Sequence, residues 1–284
     1  MALAQRLGAE IVSCDSMLVY RGMDIGTAKP TPQERSRVPH HLIDLAEPSE
    51  AFSVAAYQAA GREAMEGLEA RGARPLIVGG SGLYFRALVD DLAFPGTDEA
   101  TRSQLETEAL GGPARLHARL VELDPVAAAR MEPGNTRRIV RALEVAAITG
   151  ERFSSFATAW ENYPPDSVRV AGIEVPRTAL AGRIEARVRA MVEGGFEGEV
   201  RSLVGLGFGG WLTSTQAIGY AEFAAVIEGS LSLDEAIAAT VKRTKALARR
   251  QMAWFRRDPR IRWFESEAGA AAVVDEIAEY LSDA

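Results

Sequence analysis

Asp15 stands just beyond an apolar run, Ala9 to Ser13, that ends in Cys14-Asp15-Ser16. A carboxylate in that position either caps a turn or faces a ligand. In the second case it can accept a hydrogen bond or a proton from an amine within reach. A second polar segment, Gly79-Gly80-Ser81-Gly82, follows the apolar run Pro75 to Val78. Such a cluster makes a tight turn as readily as a phosphate cradle, so the one reactive group it offers is the Ser81 hydroxyl. Arg187, with Arg183 and Arg189 nearby, could build an anion site on a helix, although an arginine there is most often a surface residue. His40 and His41 follow Pro39 and are read as shaping a loop. Cys14 is the one cysteine and is accompanied by three histidines, so neither a disulfide framework nor a zinc cluster can be assembled. A metal, if used, is expected to be Mg²⁺ held through oxygen atoms.

The formal net charge of −7 argues by itself against a nucleic-acid partner, but its distribution reverses that reading. Lys242 to Arg262 holds nine basic residues against the single acid Asp258, a local net of +8 that leaves −15 on the remainder. Basic pairs recur at 242/243, 249/250 and 256/257, while Ile237, Val241, Leu247, Met252 and Phe255 keep a helical packing period. The plain reading is a solvated helix face. No acid at helical spacing neutralises the stripe, however, and Trp254 and Trp263 are interleaved with it, which suits a polyphosphate backbone. Arg137, Arg138 and Arg141 form a second basic cluster.

The elements that must position these groups follow from periodicity. Met1 to Leu7 reads as a helix that starts without an N-cap. Ala9 to Ser13 and Pro75 to Val78 read as buried strands, with a helix over Val54 to Arg71 between them and another from Leu83. Strand, helix, strand, glycine turn, helix is the pattern of a parallel α/β sheet, whose ligands bind beyond the carboxyl ends of the strands. Asp15 and Ser81 both fall there. From Thr97 to Tyr163 helical patterns take over, including Ala114 to Leu123 and Arg137 to Thr149, between Pro95-Gly96 and Pro164-Pro165. Val168 to Val175 returns to strand character, Thr178 to Glu193 is a helix, and Gly205 to Gly210 is a glycine-rich connection. The last long helix opens on Ser232-x-x-Glu235, a capping box, and stops before Pro259.

The expected organisation is therefore an α/β core in two parts, residues 1–95 and 165–284, the second carrying the basic helix. A helical insertion, residues 96–164, separates them. With 284 residues, 47% of them hydrophobic, the chain can bury one full core and a second smaller one. No apolar run approaches the roughly 20 residues that span a bilayer, and the start lacks a secretory pattern, so a cytoplasmic protein is expected.

The segment Asp15 to Pro30, Asp-Ser-Met-Leu-Val-Tyr-Arg-Gly-Met-Asp-Ile-Gly-Thr-Ala-Lys-Pro, resembles the signature of the tRNA dimethylallyltransferases, also called tRNA isopentenyltransferases. Five further segments are similar to the same family, in the family's order: Pro39 to Asp44, Val78 to Tyr84, Asn135 to Val145, Ala217 to Tyr220 and Arg249 to Arg256. The resemblance implies transfer of a dimethylallyl group from dimethylallyl diphosphate to the exocyclic amine of the adenosine 3′ of the anticodon, assisted by Mg²⁺. It also implies a P-loop-kinase-like α/β core with a helical insertion that closes over the tRNA anticodon stem-loop. A monomer is expected, although the sequence does not reveal the oligomeric state. By motif match, Asp15 would be the base and hydrogen-bond acceptor for the amine, and Arg187 would contact the diphosphate. Ser81 stands where the family usually has threonine, and Leu18 where many members have glutamine. The tRNA-contacting segments correspond to Asp15, Ser16, Met17, Leu18 and Ser81, to Arg102, Arg137, Arg138 and Arg141, to Gln216, Ala217, Ile218, Gly219 and Tyr220, and to Arg249, Arg250, Gln251, Trp254 and Arg256.

One family feature is missing from the sequence as given: it contains no Gly-x-x-x-x-Gly-Lys-[Ser/Thr] phosphate loop. Met1 would align within the helix that follows that loop. Two explanations compete, an upstream start or a genuine truncation, and the first is favoured because the other motifs are intact. A chain without the first strand is expected to show unpaired sheet edges and low solubility or stability. Two alternatives to tRNA prenylation remain: an adenylate isopentenyltransferase acting on free nucleotides, and a catalytically impaired tRNA-binding protein. The basic helix argues for the macromolecular substrate.

Overall fold

The computed structural model describes residues 1–90, 92–156, 162–164 and 168–282. Residues 157–161 of the expected insertion, and Pro165 at its expected boundary, lie outside the described residues. The chain divides into two compact units, one formed by Met1–Asp90 with Pro165–Ala284 and the other by Asp91–Pro164.

The first unit opens with α1 (Ala2–Leu7), β1 (Ala9–Ser13), α2 (Pro32–Arg37), β2 (His40–His41), α3 (Val54–Ala70), β3 (Arg74–Val78) and α4 (Gly82–Val89). The second unit is α5 (Glu99–Leu110), α6 (Pro113–Leu123), α7 (Pro125–Ala129) and α8 (Thr136–Thr149). The first unit resumes with β4 (Val170–Glu174), α9 (Arg177–Glu193), α10 (Phe196–Gly205), α11 (Tyr220–Ile227), α12 (Leu233–Phe255), β5 (Ile261–Glu265) and α13 (Val274–Ser282).

Every strand pairing in these elements is parallel. β1 lies between β2 and β3, with Ile11 opposite both His40 and Leu76, and β4 pairs with β5 in a separate two-stranded sheet. Parallel pairs need long crossovers, and α3 and the α9–α12 stretch supply them. β1 is buried at Ala9, Ile11, Val12 and Ser13, the near-continuous pattern of a strand flanked on both sides. β3 departs from the buried strand expected over Pro75 to Val78. It has β1 on one side and, among the described residues, no strand on the other, so Arg74, Pro75 and Val78 are exposed. β4 has the same one-sided pairing and exposes Ile173. At the amino ends of these two strands, Arg74 donates to the Leu281 carbonyl at 2.5 Å and Arg169 to the Tyr280 carbonyl at 2.9 Å. Both arginines satisfy carbonyls that the end of α13 leaves free.

The starts of α3 and α12 are fixed by side-chain caps. Ser53 accepts from the Ala56 amide to begin α3, and Ser232 and Glu235 close the capping box of α12. In the second unit, Leu105, Leu116, Leu120, Ile139 and Leu143 form a core from one face each of α5, α6 and α8. In the first, Phe196 of α10 packs edge-on against Tyr220 at 5.0 Å and at a tilt against Phe223 at 4.7 Å, all three fully buried. Each ring is worth about 1.5–3 kcal/mol of transfer free energy. Gly26 lies against this cluster so closely that a Cβ there would sit 2.3 Å from the Phe196 ring. Among the described residues no helix is long and apolar enough to cross a membrane.

Candidate active site and nucleic-acid interface

β1 delivers Asp15 two residues past its carboxyl end, where the chain turns. Asp15 Oδ1 accepts the Met17 amide at 2.8 Å, and its second carboxylate oxygen takes no hydrogen bond among the described residues. The turn thus fixes the carboxylate while leaving one acceptor open. Ser81 is the N-cap residue of α4, but its hydroxyl does not cap that helix. It accepts the Ser16 amide instead, at 3.2 Å, and lies 3.3 Å from the Ser16 hydroxyl. The Asp15 carboxylate and the paired Ser16 and Ser81 hydroxyls therefore all lie beyond the ends of adjacent parallel strands. Beneath them the Cys14 thiol is pushed up to about 12, chiefly by burial and then by the Asp15 charge, and stays protonated. Tyr57 donates to the Ser13 carbonyl at 2.7 Å, and its own ionisation is raised by burial.

The rest of the Asp15–Pro30 segment is braced by residues that sequence reading missed. Lys29, with its side chain almost completely buried, donates to the Tyr20 carbonyl at 2.5 Å and pairs with Asp44 at 2.7 Å and Asp24 at 2.8 Å. Burial alone would raise the Asp44 carboxyl, but hydrogen bonds from Lys29 and Arg35 outweigh it and hold the group below its usual range. On the other flank Glu199 accepts the amides of Asp24, Ile25 and Gly26 at 2.9, 2.7 and 3.2 Å, together with the Tyr220 hydroxyl at 2.6 Å. Three backbone amides aimed at one carboxylate hold the loop with charge-assisted bonds. Ala217, Gly219 and Tyr220 are buried, whereas Gln216 is exposed and Ile218 half-buried. Of the three buried residues, Tyr220 is tied to the Asp24–Gly26 loop through Glu199.

The basic stripe on α12 is thinner than composition implies, because acids from other elements reach it. Arg243 pairs with Glu222 of α11 at 2.5 Å, Arg256 with Glu174 of β4, and Arg260, beyond the helix, with Asp90 at 2.5 Å and Asp258 at 2.7 Å. Lys242, Arg249, Arg250 and Arg257 are exposed and form no ion pair among the described residues. A cleft of about 570 Å³ between α9 and α12 is lined by Arg189, Lys242, Lys245 and Arg249, with Glu185 and Asp234 at its side. Gln251 and Trp254 face inward onto the glycine loop: Gln251 donates to the Gly80 carbonyl at 3.0 Å, and the Trp254 indole lies against Gly82. Arg187 is exposed on α9, and no contact among the described residues joins it to Asp15.

In the helical unit, Arg137 and Arg138 at the start of α8 are exposed. Arg102 and Arg141 instead converge on Glu144, each at 2.8 Å. Glu144 is fully buried and also accepts the Asp98 amide at 3.0 Å. Burial opposes its charge, but the two guanidinium groups outweigh that and lower its pKa. Among the described residues no three metal-ligating side chains converge.

Parallel strands that end on a polar turn, with a helical unit inserted between two halves of the core, define an α/β protein of the class that binds ligands at the carboxyl edge of its sheet. The family model for IPP transferase matches residues 18–258, and the chain belongs to that family. The tRNA dimethylallyltransferase of Streptomyces coelicolor is 51% identical over 262 residues, covering 92% of this chain and 83% of that protein. The protein of the same name from Pelotomaculum thermopropionicum is 44% identical, covering 97% and 89%. Among solved structures, the tRNA isopentenylpyrophosphate transferase of Bacillus halodurans superposes with a TM-score of 0.70 at 38% identity, covering 99% of this chain and 89% of that one. A eukaryotic dimethylallyltransferase acting on tRNA shares the fold with a TM-score of 0.78 at 24% identity, covering 98% and 75%.

Proposed function

We propose that this chain transfers a dimethylallyl group from dimethylallyl diphosphate to the exocyclic amine of the adenosine 3′ of a tRNA anticodon. The observation that carries the reading is the open oxygen of Asp15, whose other oxygen is held by the Met17 amide on a turn that Ser81 braces through the Ser16 amide, in a chain 51% identical to a relative named tRNA dimethylallyltransferase. The amine nitrogen attacks the allylic carbon, the carbon–oxygen bond breaks, and diphosphate leaves with the electron pair. The proton released from nitrogen passes to Asp15. Holding the neutral amine in line accounts for much of the rate, so Asp15 need not be strongly basic. The adenosine must leave its stack to reach this turn, which costs least in a single-stranded loop.

Arg187 is the residue proposed to meet the leaving diphosphate, where a guanidinium would stabilise the developing charge. Lys242, Arg249 and Arg250 on α12 are proposed to hold the phosphate backbone, and Arg137 and Arg138 of the helical unit to do so as well. Mg²⁺ would neutralise charge on the diphosphate. The ion would be carried mainly by the diphosphate's own oxygens, in the manner usual for this metal.

The test is Asp15→Asn, assayed for prenyl transfer to tRNA and for tRNA affinity. Turnover should fall by about two orders of magnitude or more with Kd for tRNA almost unchanged. Wild-type turnover in that variant would remove Asp15 from the reaction. A chain that prenylates adenosine monophosphate as fast as tRNA would point instead to the free-nucleotide reaction.

A further inference from the structure

Gln251 sits among the cations of α12, yet its side chain is turned onto the loop that carries Ser81. Its Nε2 donates to the Gly80 carbonyl at 3.0 Å, and the fit leaves no spare room: a Cβ at Gly80 would lie 2.2 Å from that nitrogen. One turn further along, Trp254 covers Gly82, where a Cβ would lie 2.0 Å from the indole nitrogen. Phe255 meets Phe85 of α4 edge-on at 6.0 Å. The loop and the start of α4 that follows it are therefore pressed onto α12 at three successive points.

From the loop the contacts continue to the Asp15 turn. The Ser81 amide donates to the Cys14 carbonyl at 3.2 Å, the Cys14 amide donates to the Val78 carbonyl at 2.9 Å, and the Ser16 amide donates to the Ser81 hydroxyl at 3.2 Å. At Gly79 a Cβ would come within 2.5 Å of the Cys14 carbonyl oxygen, so the two backbones touch directly. An unbroken series of hydrogen bonds and close contacts thus runs from Gln251 through Gly80 and Ser81 to the residues on either side of Asp15.

We propose that Gln251 is a positioning residue, which fixes the Gly79–Gly82 loop and through it the Asp15 turn, and does not itself grip RNA. The inference rests on the reading of Asp15 as the group that meets the amine. The adjacent Arg249 and Arg250 point to solvent, so the helix that offers cations to a phosphate backbone is also the helix that sets the geometry of the carboxylate. A displacement of the turn by a fraction of an ångström would misalign the amine without altering the cationic surface.

The experiment compares Gln251→Ala and Gln251→Met in the full chain. Methionine retains the length that packs on Gly80 and lacks the donor, which separates loss of the hydrogen bond from loss of packing. Three quantities are measured: kcat for prenyl transfer to tRNA, Kd for tRNA, and amide hydrogen exchange in segments 14–18 and 79–82. Both variants should lower kcat by about tenfold, leave Kd within about twofold, and speed exchange in both segments. A rise in Kd of about fivefold or more with unaltered exchange would make Gln251 an RNA contact and overturn the proposal, as would unchanged kcat and exchange. Asp15→Asn is run alongside. If it retains wild-type turnover, the reading of Asp15 fails, while the exchange data still decide whether Gln251 braces the turn.

Discussion

The Ser81 hydroxyl accepts the Ser16 amide at 3.2 Å across 65 positions of sequence, and this bond joins the glycine loop to the turn that presents Asp15. Since that hydroxyl does not cap its own helix, its removal leaves α4 intact and the Ser16 amide without its partner. Ser81→Ala should therefore lower stability by about 1 kcal/mol and lower turnover by more than stability alone explains. Ser81→Thr retains the hydroxyl and should keep both. Urea unfolding and kcat measured on the two variants check this, and an alanine variant with wild-type turnover would show that the turn holds itself.

Glu10 gives a stability signal that can be read by pH. Hydrogen bonds from Arg71, and then from His41, lower its pKa from 4.5 to about 2. The folded value lies below the unfolded one, so the stabilisation is fully present above about pH 4.5 and disappears as pH falls through about 2. Glu10→Gln should be less stable than the parent at pH 7 and should lose stability less steeply on acidification. Urea midpoints at pH 7, 4 and 3 give the slope directly; parallel curves for parent and variant would contradict the assignment.

The sequence carried the parts of the site that depend on near neighbours. An apolar run ending in Cys14-Asp15-Ser16 is enough to put a carboxylate past a strand, and Ser232 with Glu235 is enough to start α12. What it could not carry are partners brought from afar. Glu199 is 175 positions from the Asp24 amide it accepts, and Lys29 looks like a surface lysine until Asp44 and the Tyr20 carbonyl close around it. The α12 stripe misled for the same reason, since Glu222 and Glu174 reach it from other elements. α11 is not marked by a polar face because its residues from Tyr220 to Ile227 are nearly all apolar, although only Tyr220, Glu222 and Phe223 are buried. β3 reads as a core strand by composition, and only its one-sided pairing explains the exposure of Val78.

In the helical unit the buried Glu144 makes Arg102 and Arg141 structural partners before they are anything else. Glu144→Ala leaves both guanidinium groups and the Asp98 amide without their common acceptor, and should cost about 3 kcal/mol. Glu144→Gln keeps an acceptor for the Asp98 amide and should fall between the two. Circular dichroism across a urea titration reports the difference. If alanine is tolerated within about 0.5 kcal/mol, the cluster contributes little to stability and Arg102 and Arg141 are free for other duties.

The division of α12 into neutralised and open cations makes the RNA interface specific enough to dissect. Arg249 and Arg250 are exposed and have no acidic partner among the described residues, whereas Arg256 is held by Glu174. Each cation that meets a phosphate releases a counterion on binding, so the slope of log Kd against log salt counts such contacts at about 0.7–0.9 apiece. Arg249→Ala with Arg250→Ala should weaken tRNA binding and reduce that slope by roughly 1.5, if both touch the backbone. Arg256→Ala should change the slope little, because its charge is already balanced, and should act on stability through the loss of Glu174 as partner. The comparison is internal to one helix, so differences in folding cancel in the slope. Equal slopes for the double variant and the parent would turn the stripe toward solvent and move the interface to Arg137 and Arg138.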